Sequence, residues 1–393
     1  MRIVDSNEGL AALIAELSGA PYLALDTEFL RDQTYYPKLC LIQVASPETP
    51  GHPSVEAIID PLAPGIDLAP FYELMKRPDI VKVLHAARQD IEIFYLQGGV
   101  LPHPLFDSQI AAMVCGFGDA ASYETLSRRI AHVEIDKSAR FTDWSHRPLS
   151  KRQLEYALAD VTHLRVIYEW MKAKLEKTGR ESWVAEEVSA LQDPALYKLD
   201  PELAWKRLKP RSSSKRFLAV LAGIAAWRER EAQARDIPRG RVLKDEAITE
   251  IAAHPPETGE ALERIRAVPK GFANSKLGKG LMEALAAAAD APAPEGSVAP
   301  PQRRRREPSP AAIDLLKTLL RLRAEAAGVA PRLIANADDI EKLAVEDDEG
   351  VAALRGWRAE VFGNDAKLLR KGDLAIALEN GDAVVVELEG DDA

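Results

Sequence analysis

Cysteine is nearly absent. Two residues, Cys40 and Cys115, in a chain of 393 cannot supply a disulfide framework, and their separation matches no zinc-ligand spacing. Long apolar runs are missing too: the longest, Leu218 to Trp227 with Phe217 before it, is eleven residues, about half of what a bilayer span requires. The opening Met1-Arg2-Ile3-Val4-Asp5 leads into mixed sequence without the apolar core and cleavage site of a signal peptide. A reducing, cytosolic setting with no membrane partner is therefore expected. Positive charge is in deficit, 51 Lys and Arg against 61 Asp and Glu, for a formal net charge of −10. That balance argues against nonspecific coating of nucleic acid but leaves a local patch open. Hydrophobic residues at 47% and charged residues at 28% exclude wholesale disorder and collagen, and the length predicts two or three domains.

What positive charge there is has been gathered. Between Ala204 and Lys244 twelve Lys or Arg stand against three acids, Glu229, Glu231 and Asp236, so one basic segment lies inside an acidic chain. Before it, from Tyr22 to about Ala111, short apolar runs alternate with helical patterns: Tyr22 to Leu25, Leu39 to Val44, Ala57 to Ile59 and Ile80 to Leu84. Short Pro-rich spacers between the second and third predict antiparallel neighbours, and helical stretches around the later ones predict crossovers, so a mixed α/β sheet is expected. Leu154, Ala157, Leu158, Val161, Leu164, Val166 and Ile167 recur near the helical period, with Ser150 as N-cap and Gly179 past the end, which predicts a long helix over 150–177. Beyond Leu199 no strand is expected before the far C-terminus, and the remainder reads as helices. Residues 290–310, rich in Ala, Pro, Gly and Ser around Arg303 to Arg306, cannot bury a core and mark a linker. The expected units are thus 1–180, a helical module at 203–289, the linker, a second helical module at 311–385 and an acidic tail at 386–393.

The carboxylates carry the chemistry. Alternation puts Asp26 and Glu28 on one side of the chain at the end of the first apolar strand. Asp90 follows another strand at a helix start, and Tyr156 and Asp160 project one turn apart from the long helix. Four carboxylates in one cleft raise each other's pKa and stay ionised at neutral pH only beside cations. An all-oxygen donor set suits Mg²⁺ or Mn²⁺ rather than Zn²⁺, and two such ions can activate a water and stabilise the departing oxygen of a phosphodiester.

Asp26-x-Glu28, Asp90 and Tyr156-x3-Asp160, in that order, resemble the three motifs of the DEDD exonuclease superfamily, in its tyrosine branch because Tyr stands four places before the last Asp. Leu39 to Gln43, Leu84-His85-Ala86, Ile135 to Ser138, Thr142-Asp143-Trp144 and Arg147-Pro148-Leu149 are similar to ribonuclease D. The resemblance implies a ribonuclease-H-like catalytic domain in which Asp26, Glu28 and Asp160 hold a first metal, Asp26 and Asp90 support a second, and Tyr156 positions the nucleophilic water. It further implies attack from the 3′ end of RNA, release of nucleoside 5′-monophosphates and tRNA precursors as substrates; a cytoplasmic monomer is expected. Phe217 to Arg228, Arg235 to Arg239 and Ile265 to Leu281 resemble the HRDC domain, and 311–385 a second HRDC-like bundle. In the first module Arg228, Arg230, Arg235, Arg239, Arg241 and Lys244 are the candidate phosphate contacts.

Gly271 to Lys279 fails the Walker A spacing and lacks its Ser or Thr, and Gly116-Phe117-Gly118 fails the dinucleotide fingerprint. His85, His132, His146 and His163 are scattered, with His163 sharing the face of Tyr156 and Asp160. Trp144, Trp227 and Tyr123 read mainly as core, Trp144 being the best placed to stack on a base. The rival readings are a 3′–5′ DNA exonuclease with the same metals and a non-catalytic RNA-binding scaffold.

Overall fold

The computed structural model describes residues 1–136, 142–295 and 307–388. Arg303 to Arg306 and the last five residues of the tail lie outside that set, as do Lys137 and Ser138. The N-terminal part runs β1 (Arg2–Val4), α1 (Asn7–Leu17), β2 (Tyr22–Leu30), β3 (Lys38–Ser46), β4 (Val55–Ile59), α2 (Ala69–Met75), β5 (Val81–Leu84), α3 (Arg88–Gly98), β6 (Leu105–Asp107), α4 (Ser108–Val114), α5 (Tyr123–Leu126), α6 (Lys151–Thr178) and α7 (Glu181–Ser189). The strands form one six-stranded sheet in the order β1-β4-β3-β2-β5-β6. β2, β3 and β4 are an antiparallel meander, whereas β5 and β6 add in parallel beyond β2, and β1 pairs in parallel with β4. The mixed sheet is as expected; β1 and β6 are additional three-residue strands, too short to show an alternation.

Alternation along β2 divides the core. Leu23 and Leu25 join Ile42, Val44 and Ile59 under α1, α2 and α3. On the opposite face Tyr22, Ala24, Ala45 and Val83 meet Val161, Leu164 and Tyr168 of α6. α6 starts at a capping box formed by Ser150 and Gln153 and ends at Gly179 in the left-handed region, φ 66°, so both ends are fixed by side-chain and backbone hydrogen bonds. Its predicted apolar stripe holds, with Val166 as the exception, 46% exposed.

The first helical unit comprises α8 (Lys215–Arg235), α9 (Arg239–Val242), α10 (Asp245–Ala253), α11 (Gly259–Glu263) and α12 (Lys276–Ala289). Gly223 lets α8 and α12 touch, since a Cβ there would lie 2.6 Å from that of Ala288. The second comprises α13 (Pro310–Ala327), α14 (Pro331–Ile334), α15 (Ala337–Ala344), α16 (Gly356–Arg358) and α17 (Asn364–Lys371), then β7 (Leu374–Glu379) and β8 (Asp382–Glu387). The hairpin modifies the all-helical expectation for 311–385 and draws the first tail residues into a strand. Its cause is local: Asn380 and Gly381 both have positive φ, 53° and 95°, the requirement of a tight turn between alternating strands.

Both helical units dock on the sheet domain. Trp183 of α7 stacks on Trp357 at 4.4 Å and 12°, flanked by Arg358 reaching Glu186 and Glu187. On the other side the β2–β3 loop enters the first unit: Tyr35 donates its hydroxyl to buried Glu229, which Arg239 also grips through two nitrogens at 2.5 and 2.6 Å. The Arg239 guanidinium lies 4.5 Å from the Tyr35 ring centre. Replacing Glu229 with Ala removes the acceptor of the Tyr35 hydroxyl and the counter-charge of Arg239, which leaves these two bonded only to each other and to Gln233; losing hydrogen bonds to a charged group costs about 1–3 kcal/mol. E229A is expected to lower the melting temperature by several degrees, measured by calorimetry; an unchanged melting curve would show that the contact holds nothing together.

Candidate active site

The cleft exists because β2 outruns one of its neighbours. β5 pairs with it only from Tyr22 to Ala24, while β3 stays paired as far as Leu30. From Leu25 onward one edge of β2 is therefore released. The carboxylates sit inside the strand, not past its end as the apolar run alone suggested, and the register slips between Glu28 and Phe29, which re-aims the chain there. α6 crosses this face and brings Asp160 to Asp26 and Glu28, so that one oxygen from each lies within 4.8 Å of the others.

Asp90 arrives by a different route. Asp107, at the end of β6, accepts from the backbone N–H groups of Ala86 and Ala87 at 3.1 and 2.8 Å and caps α4. The turn after β5 is thereby fixed, α3 begins, and Asp90 falls in its first turn, 5% exposed. Thr27 donates its hydroxyl to Asp90. Asp90 stands beside the three-carboxylate cluster rather than within it, close enough for its charge to act on Asp26.

Tyr156 lines the same cleft of about 340 Å³ as Asp26 and Asp160. All five predicted residues thus converge. Sequence reasoning missed Gln109, set His85 aside as one of the scattered histidines and read Tyr123 mainly as core; all three share the cleft wall. His85 is held by a 2.9 Å contact from Nδ1 to Ser108 Oγ, and Tyr123 donates to the Asp160 carbonyl. The available signal was position, since His85 immediately follows β5. Trp144 is corrected: it is buried behind Tyr156, rings 6.1 Å apart and 29° from parallel, and has no open face for a base. Trp227 is likewise core.

Burial, then the neighbouring charges of Asp160, Asp90 and Glu28, hold the Asp26 carboxyl well above the usual range. Burial also pushes Asp90 and Asp160 up to about 7. Among the described residues no Lys or Arg forms an ion pair with Asp26, Asp90 or Asp160. An oxygen-only cluster strained in this way fits a hard divalent cation.

The basic residues are divided. Arg228 is 3% exposed and spends its guanidinium on the Leu243 carbonyl and Asp245 at 2.9 and 2.5 Å, which removes it as a phosphate contact. Arg239 is committed to Glu229 and Tyr35 as described, and it too is withdrawn. Arg241 bonds Gln33 of the β2–β3 loop. Arg230 and Arg235 pair on the surface with Glu202 and Glu231, and Lys244 is exposed just before α10.

Comparison with known proteins agrees with this geometry. The family described as "3'-5' exonuclease" matches residues 1–176, and the HRDC domain matches 217–285. Ribonuclease D of Nitrobacter hamburgensis is 47% identical over 388 residues, covering 98% of this chain and all of that protein; that of Jannaschia sp. is 48% identical over 385 residues, covering 98% and 99%. The chain belongs to the ribonuclease D family. Among solved structures, Escherichia coli RNase D, an exoribonuclease involved in structured RNA processing, superposes with a TM-score of 0.76 at 29% identity, over 94% of this chain and 98% of that one. The ribonuclease D relationship thus spans the sheet domain and both helical units.

Because the native pKa values of Asp90 and Asp160 lie above those of the unfolded chain, the metal-free protein loses stability as pH rises from about 4 to about 7. A cation that neutralises the cluster binds in competition with protons. The rise in melting temperature on adding Mg²⁺ is therefore expected to be larger at pH 8 than at pH 6; equal shifts would contradict the assignment of these pKa values.

Proposed function

We propose that this ribonuclease D homologue is a 3′–5′ exoribonuclease that removes terminal nucleotides as 5′-monophosphates, with 3′-extended tRNA precursors among its substrates. The observation that carries the reading is the meeting of Asp26, Glu28 and Asp160 in one cleft with Tyr156. In this reading Asp26, Glu28 and Asp160 hold one divalent cation, Mg²⁺ or Mn²⁺, and Asp26 with Asp90 supports a second. Bound there, such ions lower the pKa of a coordinated water and neutralise charge on the phosphate and the leaving oxygen.

The chain's own groups do the rest. Tyr156, backed by Trp144, presents its hydroxyl to the cleft and orients the water whose oxygen forms the new bond to phosphorus. The bond that breaks joins that phosphorus to the O3′ of the preceding nucleotide, which departs as the new 3′ end. His85, its Nδ1 engaged by Ser108, has a pKa lowered by burial, so at neutral pH it offers the bound nucleotide a hydrogen-bonding edge without a charge. Arg230, Arg235, Arg241 and Lys244 remain as contacts for the RNA body. The three units act as a monomer in the cytosol; no helix among the described residues is long and apolar enough to cross a membrane.

Replacing Asp26 or Asp160 with Asn removes a ligand charge while keeping shape. Either variant is expected to lower kcat by about 10³-fold or more, since removing groups that act as a unit costs losses of that order, with folding intact by circular dichroism. The assay is single-nucleotide shortening of a 3′-extended tRNA under Mg²⁺, run beside single-stranded DNA of matching sequence. Full activity in Asp26→Asn would refute the catalytic assignment, and faster DNA hydrolysis would refute the choice of substrate.

A further inference from the structure

Among the described residues Gln43 is a buried amide with no protein partner. It is 0% exposed, and neither Oε1 nor Nε2 makes a hydrogen bond within the protein. Such groups are rare in folded proteins, because an unmatched amide forfeits its hydration without compensation. Ordinary core packing favours Leu or Val here, as at Ile42 and Val44 on either side. Where Gln43 sits supplies the reason for it. In the β2–β3 ladder it is directly opposite Asp26, and residues directly opposite in an antiparallel pair share a face with Cβ atoms about 5 Å apart.

That face is the one beneath α6. Ala24 and Ala45, two places from Asp26 and Gln43 on their strands, pack against Val161 and Leu164. Gln43 is thus enclosed between Asp26, its β4 neighbour Ile58 and the helix that carries Asp160. It cannot reach solvent, so it cannot touch substrate. A donor and acceptor on a flexible three-bond stem lie one strand spacing from a carboxylate whose rotamer decides whether the cluster can ligate.

We propose that Gln43 is a positioning residue for the metal centre: its side-chain amide donates to the Asp26 oxygen turned away from the cation and holds that carboxylate in its ligating orientation. The inference rests on the reading that the cluster binds divalent cations. Hydrogen-bonded support of a ligating carboxylate is a general requirement of metal sites, and its loss typically costs 10–100-fold in affinity or activity. In the metal-free protein the amide lacks this partner, and Gln43 then detracts from stability.

Two opposed effects follow and separate the proposal from a structural role. Gln43→Met keeps length and volume and removes both polar atoms; Gln43→Leu is the second variant should Met pack poorly. Each is measured by thermal unfolding without metal and in a titration with MnCl₂, and by RNA hydrolysis across Mn²⁺ concentrations. Expected is a metal-free melting temperature equal to or above that of the unsubstituted protein, together with a Mn²⁺ half-saturation at least tenfold higher in both readouts and partial recovery of kcat at saturating metal. Half-saturation within twofold of the parent, whatever the melting temperature, would overturn the proposal. The unfolding titration needs no RNA, so a wrong substrate leaves it decisive. A parent protein that Mn²⁺ does not stabilise would instead refute the metal reading itself.

Discussion

Mutual repulsion among carboxylates is the constraint that this fold has to resist. Two like charges about 4 Å apart in a partly buried site oppose each other by roughly 4 kcal/mol at an effective dielectric constant near 20, and Asp26 faces several such neighbours. Flexible loops would relax that strain by swinging the side chains apart. The structure instead takes Asp26 and Glu28 from the interior of β2, a strand paired with β3 from Ala24 to Leu30, and Asp160 from α6. That helix is anchored by Leu154, Ala157, Val161, Leu164, Ile167, Tyr168, Met171 and Leu175. At about 1.5–3 kcal/mol for each large apolar side chain removed from water, this interface is strong enough to hold Asp160 against the repulsion. What the fold leaves unsatisfied is charge, and charge is what a cation supplies.

The same economy governs the basic segment. Its arginines looked like a surface for phosphate, yet Arg228 and Arg239 are consumed within the protein, one beneath α8 and one clamping Glu229 against Tyr35. The second contact has consequences for the site, because the loop holding Tyr35 continues directly from β2. Asp236, closing α8 in the left-handed region, accepts from the backbone N–H groups of Tyr35 and Tyr36, both at 3.0 Å. The first helical unit therefore braces the far end of the strand whose middle carries Asp26 and Glu28. Positive charge that a tally assigns to RNA is here partly structural.

Spacing made Asp26, Glu28, Tyr156 and Asp160 legible, because alternation and the helical period each put two groups on one side of a regular element. Asp90 was legible only as an acid in a helical first turn; its hydrogen bond from Thr27 crosses 63 positions, which no local pattern encodes. Arg228 misled for a definable reason. α8 is buried around most of its circumference, with Leu218, Ala219, Val220 and Leu221 all hidden in succession, so a charge on it does not imply a solvent-facing side. β1 and β6 escaped notice as three-residue strands whose pairing depends on neighbours distant in sequence. Only the far C-terminus of the helical half left room for a strand, and there the Asn380-Gly381 turn pairs β7 with β8.

The stretch from Asp143 to Leu149 shows how a motif can be diagnostic without touching the chemistry. Arg147 forms a two-pronged pair with Asp60, both contacts 2.7 Å, and donates to the carbonyls of Trp144 and Cys40 at 2.7 and 2.8 Å. One guanidinium, with all its donors in a fixed plane, thereby ties the end of β4, the first part of β3 and the segment leading into α6. Trp144, pinned through its own carbonyl, lies against the Tyr156 ring. The support of the Tyr156 ring at the cleft thus traces back to an arginine nine residues earlier. Lysine could keep the charge there but not satisfy three directions at once, which is why geometry rather than electrostatics explains arginine at this position.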